Sequence, residues 1–250
     1  MKKILGNIRK ADADFGMIKE GDKIAVGVSG GKDSMILLYA LHLYQKFAPV
    51  KFDLVGITLK LGFDGMDFNP VIDFCKEHGI EYHMVDTQVF EILKAKADEK
   101  GRLPCSLCSK FKKALLIKKS VELGCTKVSM AHHADDATET LVMNAIHNGY
   151  LSTFKAKMYL TESDVTFIRP LIYTYESDIV KAARKYVPVV PSTCPMDKNT
   201  GREDVKDMLK ELYKTYPTAK ANLLNAMKNT DRVTLLERED ESGENNRKRF

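Results

Sequence analysis

The sequence predicts an α/β protein: a doubly wound parallel sheet with helical N- and C-terminal additions. Three observations predict it. Short apolar runs alternate with helix-length periodic segments from residue 23 to residue 186. The glycine turn Ser29-Gly30-Gly31 joins the first such run to the first such helix. Residues 202–228 carry no strand signal and read as helix alone.

Taken in order, a helix over 2–17 precedes the apolar strand 23–28, and a periodic helix over 33–46 follows the glycine turn. Strand 52–59 (Phe52-Asp53-Leu54-Val55-Gly56-Ile57-Thr58-Leu59) leads through a glycine-containing loop to helix 70–78, and strand 80–86 comes next. A helix near 88–98, helix 109–123 and strand 126–131 complete the first half. Helix 135–147, strand Val165–Ile168 and helix 176–186 follow. Repeated strand–helix units place parallel strands between two helical layers, with ligands beyond the carboxyl ends of the strands. Two helices interrupted at Pro217 are expected over 202–228, and the polar stretch 237–250 reads as disordered. The expected division is an N-terminal helix (1–20), an α/β domain (21–190), a helical segment (191–230) and a tail (231–250).

Ser29-Gly30-Gly31-Lys32-Asp33-Ser34 carries the first chemistry. Two glycines let the backbone curl around a ligand with its N–H groups inward, and the helix N-terminus adds a positive dipole end. Lys32 adds a full charge, so the loop suits a phosphate-bearing anion. Its spacing is not that of the Walker loop. The six residues, in strand–turn–helix context, resemble the signature of the PP-loop ATP pyrophosphatases. That resemblance implies an adenine nucleotide alpha hydrolase-like fold, and an enzyme that adenylylates a substrate carbonyl and releases pyrophosphate.

Composition points to a cytoplasmic enzyme. Hydrophobic content of 44% and charged content of 29% are ordinary for a globular chain. Charges interrupt the basic N-terminus before any signal-peptide core, and no apolar run reaches bilayer length, so no membrane association is expected. Five cysteines, an odd count, argue for metal or redox use over a disulfide framework. A net charge of +5 permits a nucleic-acid partner.

Cys105 and Cys108, in Pro104-Cys105-Ser106-Leu107-Cys108, fall in a loop just before a helix, where thiol pKa values drop and one metal centre can be shared. Cys194 is the distant candidate partner, whereas Cys75 and Cys125 read as core thiols. Three cysteines suit a four-iron cluster with one iron open; zinc completed by a histidine is the alternative.

Ala131-His132-His133-Ala134-Asp135-Asp136-Ala137-Thr138-Glu139-Thr140 resembles a motif of the tRNA 2-thiocytidine synthetases. The Pro-Cys-Ser-Leu-Cys-Ser run, Ile168-Arg169-Pro170-Leu171 and the Pro188–Pro191 approach to Cys194 also look like that family, from about residue 8 to residue 228. The resemblance implies ATP-dependent replacement of the C2 oxygen of an anticodon-loop cytidine in tRNA by sulfur. It further implies a [4Fe-4S] cluster on three cysteines and a homodimer, with sulfide or a cysteine desulfurase system supplying the sulfur. One departure is that Ser192 stands where the family places a cysteine; the third ligand is then Cys194, and the choice between cytidine and another nucleotide stays open.

Replacing a pyrimidine C2 oxygen requires making it a leaving group, which adenylylation does. Ser29, Gly30, Gly31, Lys32 and Ser34 are expected to cradle the pyrophosphate, with Asp33 reaching it through Mg²⁺. Asp135 opens a helix and either caps it or serves catalysis or metal. Leu59, closing the second strand, and His132 are expected to line the nucleotide, with His133 packing on the opposite side. Lys112, one turn after Cys108, is the catalytic lysine by likeness to thiouridine synthetases. Lys110, Lys113, Lys118 and Lys119 accompany it on one helix, and Arg169 and Arg202 are further candidates for contacting ATP or RNA. A PP-loop enzyme that thiolates or amidates another nucleotide or a small molecule is the alternative, and a cluster-binding redox sensor a second one.

Overall fold

The computed structural model describes residues 1–196 and 201–235. Helix α1 (Lys2–Phe15) leads into β1 (Asp22–Gly27), α2 (Lys32–Tyr44), β2 (Phe52–Lys60), α3 (Asn69–His78) and β3 (Glu81–Asp86). Then come α4 (Val89–Lys94), α5 (Cys105–Glu122), β4 (Lys127–Ser129) and α6 (Ala134–Met143), which runs on into a π-helical turn at Asn144–Asn148. β5 (Lys157–Leu160), β6 (Val165–Ile168), α7 (Glu176–Tyr186), α8 (Gly201–Thr215) and α9 (Ala219–Lys228) complete the order. The chain divides into two compact units, Met1–Leu209 and Lys210–Phe250. The expected disordered stretch 237–250 lies outside the described residues.

The strands of the first unit form a six-stranded sheet ordered β3-β2-β1-β4-β6-β5. β1 is central, pairing parallel with β2 (Ile24 opposite Leu54) and with β4 (Ala25 opposite Val128). The chain steps outward on one side after β1 and on the other after β4, so these neighbours bracket the topological switch point of the sheet. In such sheets a crevice opens there at the carboxyl ends.

Burial on both faces explains why β1 reads as an uninterrupted apolar run, with Ile24, Ala25 and Val26 fully enclosed. One face packs on α2, whose Met35, Ile36, Leu37, Leu38 and Leu41 are all fully buried. A helix apolar all round must be covered all round: α2 lies under the sheet and against α7 and α1. On the other face Ala25, Val55, Ile57, Val128 and Phe167 pack with Leu116 of α5.

Three departures from the sequence expectation have physical causes. The sheet is mixed, because β5 joins β6 antiparallel as an edge. Its four residues Lys-Met-Tyr-Leu leave Tyr159 exposed and give too short an alternation to register. Helix α5 begins at Cys105, four residues early, with Pro104 as its N-cap, so the cysteine pair occupies a first helical turn instead of a loop. α4 stops at Lys94, short of the expected 98.

The carboxyl end of β1 is held from both sides. Val28 N–H donates to Ile57 C=O at 2.8 Å, and the fully buried Thr58 donates its hydroxyl to Val28 C=O at 2.7 Å. Thr58→Val keeps the shape and orphans that carbonyl. It should lower unfolding free energy by about 1–2 kcal/mol in urea titration, with an unchanged denaturant slope.

Candidate active site

The turn after β1 is built by backbone constraint. Gly30 adopts φ +83°, and a Cβ there would stand 2.9 Å from Val190 Cβ and 3.3 Å from the Phe68 ring. A side chain is therefore excluded by conformation and by space. Val190 N–H also donates to Gly30 C=O at 2.9 Å, fixing the turn from outside. Inside, Ser34 Oγ accepts from Ser29 N–H at 3.1 Å and donates to Gly31 C=O at 2.9 Å, while the two hydroxyls lie 3.2 Å apart. Gly31 caps α2, so the first N–H groups of that helix open onto the loop.

Charges ring this loop. Lys32 Nζ lies 3.0 Å from Asp33 Oδ2 and 3.0 Å from Glu176 Oε1 at the start of α7. Lys206 of α8 reaches the other oxygen of Glu176 at 3.0 Å. Burial opposes the Glu176 charge, but hydrogen bonds from Lys32 and Lys206 hold its carboxyl down at about 2. Burial also opposes the charge of Lys32, and the Asp33 and Glu176 carboxylates outweigh it, so its pKa is raised.

His132 and His133 follow β4 and point apart, as strand alternation requires. His133 is buried and caps α6: its Nδ1 accepts from Asp136 N–H at 3.3 Å, while Asp136 Oδ2 accepts from His133 N–H at 2.9 Å. An accepting Nδ1 leaves the proton on Nε2, which stands 3.8 Å from Asp33 Oδ1. That oxygen is buried with no hydrogen-bond partner among the described residues. A carboxylate oxygen enclosed and unbonded beside a phosphate-cradling loop fits a divalent cation. Asp135, in the first turn of α6, accepts from Glu176 N–H at 2.7 Å and thereby joins α6 to α7.

His132 turns the other way, onto Phe154 (ring centroids 4.9 Å) and Arg169 (Nε to Nδ1, 3.3 Å). Burial, and then the Arg169 charge, push its pKa down to about 4, so the ring is neutral at physiological pH. Leu59 sits at the carboxyl end of β2 and packs against the face that holds Val55 and Ile57.

Cys105, Cys108 and Cys194 are free thiols. Cys108 lies over the cluster of Val89, Leu93 and Leu103, with Phe111 and Met196 beside it. Burial raises its pKa, the Lys112 ammonium lowers it, and the Cys194 and Cys105 thiols raise it, so the other two cysteines and Lys112 all lie near enough to act on Cys108. No three His, Cys, Asp or Glu side chains among the described residues converge closely enough to hold a single metal ion. An [4Fe-4S] cluster spreads its thiolates over separate irons and needs a wider set, and three free thiols with Cys108 on an apolar bed are of the right chemistry for it. Cys75 and Cys125 are buried and inert; burial pushes each thiol up to about 11.

Glu176 and Lys206 carry no sequence motif and reach the site only through α7 and α8, while Val190, inside the Pro188–Pro191 segment, had no role expected of it. Glu139 lies within the 131–140 segment, but no role was expected of it there. Arg202 Nε lies 3.9 Å from Glu139 and its NH1 3.5 Å from Asp136. Burial first, and then the Asp136 charge, push Glu139 up to about 7 from an ordinary 4.5. A carboxyl raised in the folded state contributes stability below pH 4.5 that is lost as pH rises through 7. Glu139→Gln should therefore flatten the fall in melting temperature between pH 5 and pH 8. An unaltered pH profile would show that Glu139 titrates normally.

A PP-loop domain model matches residues 2–187. A tRNA-cytidine(32) 2-sulfurtransferase of Geobacter metallireducens is 39% identical over 241 residues, covering 95% of this chain and 93% of the relative. The enzyme of the same description from Geobacter sulfurreducens is 37% identical over the same shares. One from Erwinia tasmaniensis is 37% identical over 91% of this chain and 74% of its own. Among solved structures, the U34-tRNA thiolase NcsA from Methanococcus maripaludis with its [4Fe-4S] cluster superposes with a TM-score of 0.72. It is 26% identical, over 93% of this chain and 79% of the other.

Proposed function

This chain belongs to the PP-loop domain family, and from that membership we propose that it is an ATP-dependent tRNA sulfurtransferase acting on C2 of a cytidine at position 32. The observation that carries the reading is that one short stretch of chain serves two sites. Val190 seals Gly30 of the phosphate loop, and Cys194, four residues on, neighbours Cys108. Four residues span at most about 14 Å, a separation short enough to support one site shared by the phosphate loop and the cysteines.

In this reading ATP places its β- and γ-phosphates in the loop of Ser29, Gly30, Gly31, Lys32 and Ser34, with Leu59 and His132 lining the nucleotide. Mg²⁺ is held by Asp33, whose enclosed Oδ1 supports the assignment, with Asp135 as a further carboxylate. The cytidine C2 oxygen attacks the α-phosphorus, the bond to the bridging oxygen breaks, and pyrophosphate leaves. Lys32 must release Glu176 or Asp33 to meet the new charge on pyrophosphate; Lys206 then keeps Glu176 paired. Lys112 polarises the C2 carbonyl. Sulfide adds to C2, and AMP departs with the former C2 oxygen.

Cys105, Cys108 and Cys194 would hold a [4Fe-4S] cluster, which supplies an open iron to carry sulfide. The thiolase NcsA, solved with such a cluster, supports this. Sulfide or a cysteine desulfurase system delivers the sulfur. The homodimer rests on the family resemblance, and a cytoplasmic site of action on the tRNA partner. No helix of the described residues is long and apolar enough to cross a membrane.

Anaerobically purified wild type should contain about four irons and four acid-labile sulfides per chain. Cys108→Ala should lose both, along with thiolation of tRNA, while keeping its circular dichroism spectrum and ATP affinity. Full thiolation by that variant, or zinc alone after anaerobic reconstitution, would contradict the cluster assignment.

A further inference from the structure

Arg169 is 9% exposed, and the groups of the described residues that touch its guanidinium are neutral. Nε donates to the neutral His132 ring, and one terminal nitrogen donates to Lys155 C=O. Burial alone acts on its charge, lowering its pKa, and no carboxylate of the described residues offsets it. Arg202, by contrast, meets Asp136 and Glu139. A buried cation without a counter-ion is destabilised by its lost hydration, which an anionic ligand would offset. The geometry is fixed: Arg169 N–H donates to Ala156 C=O at 3.0 Å, and Ile172 N–H to Arg169 C=O at 3.1 Å.

Phe154 completes the feature. Its ring lies 4.9 Å from the Arg169 guanidinium and 4.9 Å from the His132 ring, and it is half-buried. The segment that carries it is tied back to α6 and the π-helical turn: Thr153 Oγ1 donates to Ala137 C=O at 2.9 Å, and Asn144 Nδ2 to Ser152 C=O at 2.8 Å. A fixed aromatic ring beside a fixed, uncompensated guanidinium matches one nucleotide of single-stranded RNA, with base on ring and phosphate on cation.

Placement favours RNA over ATP. Arg169 ends β6, two strands from β1 in the order β1-β4-β6, which is about 10 Å across the sheet. ATP phosphates seated in the loop after β1 lie away from it, which leaves the Arg169 guanidinium to a second anion, and RNA is the polyanion of the proposed function. We infer that Arg169 and Phe154 form an RNA subsite: a phosphodiester flanking the target nucleotide sits on Arg169, and a base of the same strand stacks on Phe154. The inference rests on the tRNA reading above.

The test is binding of an unmodified tRNA transcript to the full chain over a range of salt concentrations, with ATP affinity measured in parallel. Arg169→Gln should reduce the slope of log affinity against log salt by about 0.7, one phosphate contact, and Arg169→Lys should restore it. Phe154→Leu should weaken RNA binding roughly tenfold with the slope unchanged. ATP affinity should fall by less than RNA affinity in Arg169→Gln and Phe154→Leu, since both residues touch His132, which lines the nucleotide. Wild-type slope and affinity in every variant would overturn the subsite, as would loss of ATP binding with RNA binding kept, which would give Arg169 to an ATP phosphate. A wild-type chain that binds no tRNA at any salt would overturn the tRNA reading and the subsite together.

Discussion

The contact of Val190 with Gly30 is the constraint on which the site depends. A backbone hydrogen bond of 2.9 Å, and a Cβ approach that leaves no room for a side chain, clamp the turn after β1 from outside. The same strand end is held from within by Ile57 and Thr58. With both sides fixed, and the Ser29 and Gly31 N–H groups held by the Ser34 and Ser29 hydroxyls, the turn needs little reorganisation when an anion arrives at the start of α2. Because the chain that seals Gly30 continues directly to Cys194, the position of the third cysteine follows from the same clamp.

Electrostatics then divides the site into two halves. Beside the glycine turn, Lys32, Glu176 and Lys206 form an alternating row of charges in which Lys206 keeps Glu176 paired whenever Lys32 turns to another anion. The capping box of His133 and Asp136 holds α6 so that Asp135 joins α7 while the Nε2 proton of His133 faces Asp33. On the other side, His132, Phe154 and Arg169 form a row without an acid. Two adjacent histidines thus serve opposite walls, one by capping a helix and the other as a neutral ring.

The α/β architecture was legible because its strongest signals are local. β1 is a buried run, α2 is apolar on every side, and the turn between them admits nothing larger than glycine at position 30. The cysteine trio and the two aspartates of α6 were likewise visible as motifs. Long-range partners were not. Glu176 and Lys206 are separated from Lys32 by well over a hundred residues, and their charges look like an ordinary solvated helix face until α7 and α8 bring them in. Val190 is one apolar residue among several, and only the positive φ of Gly30 gives it meaning. β5 escaped notice because a four-residue edge strand takes its stability from its partner β6 and not from its own pattern.

The central claim is that the C2 oxygen leaves as part of AMP, and isotope transfer tests it most directly. A tRNA carrying ¹⁸O at C2 of the target cytidine would be turned over with ATP and sulfide, and the released AMP weighed by mass spectrometry. The account predicts AMP bearing the label in step with thiolated tRNA. Thiolated tRNA formed alongside unlabelled AMP would contradict it.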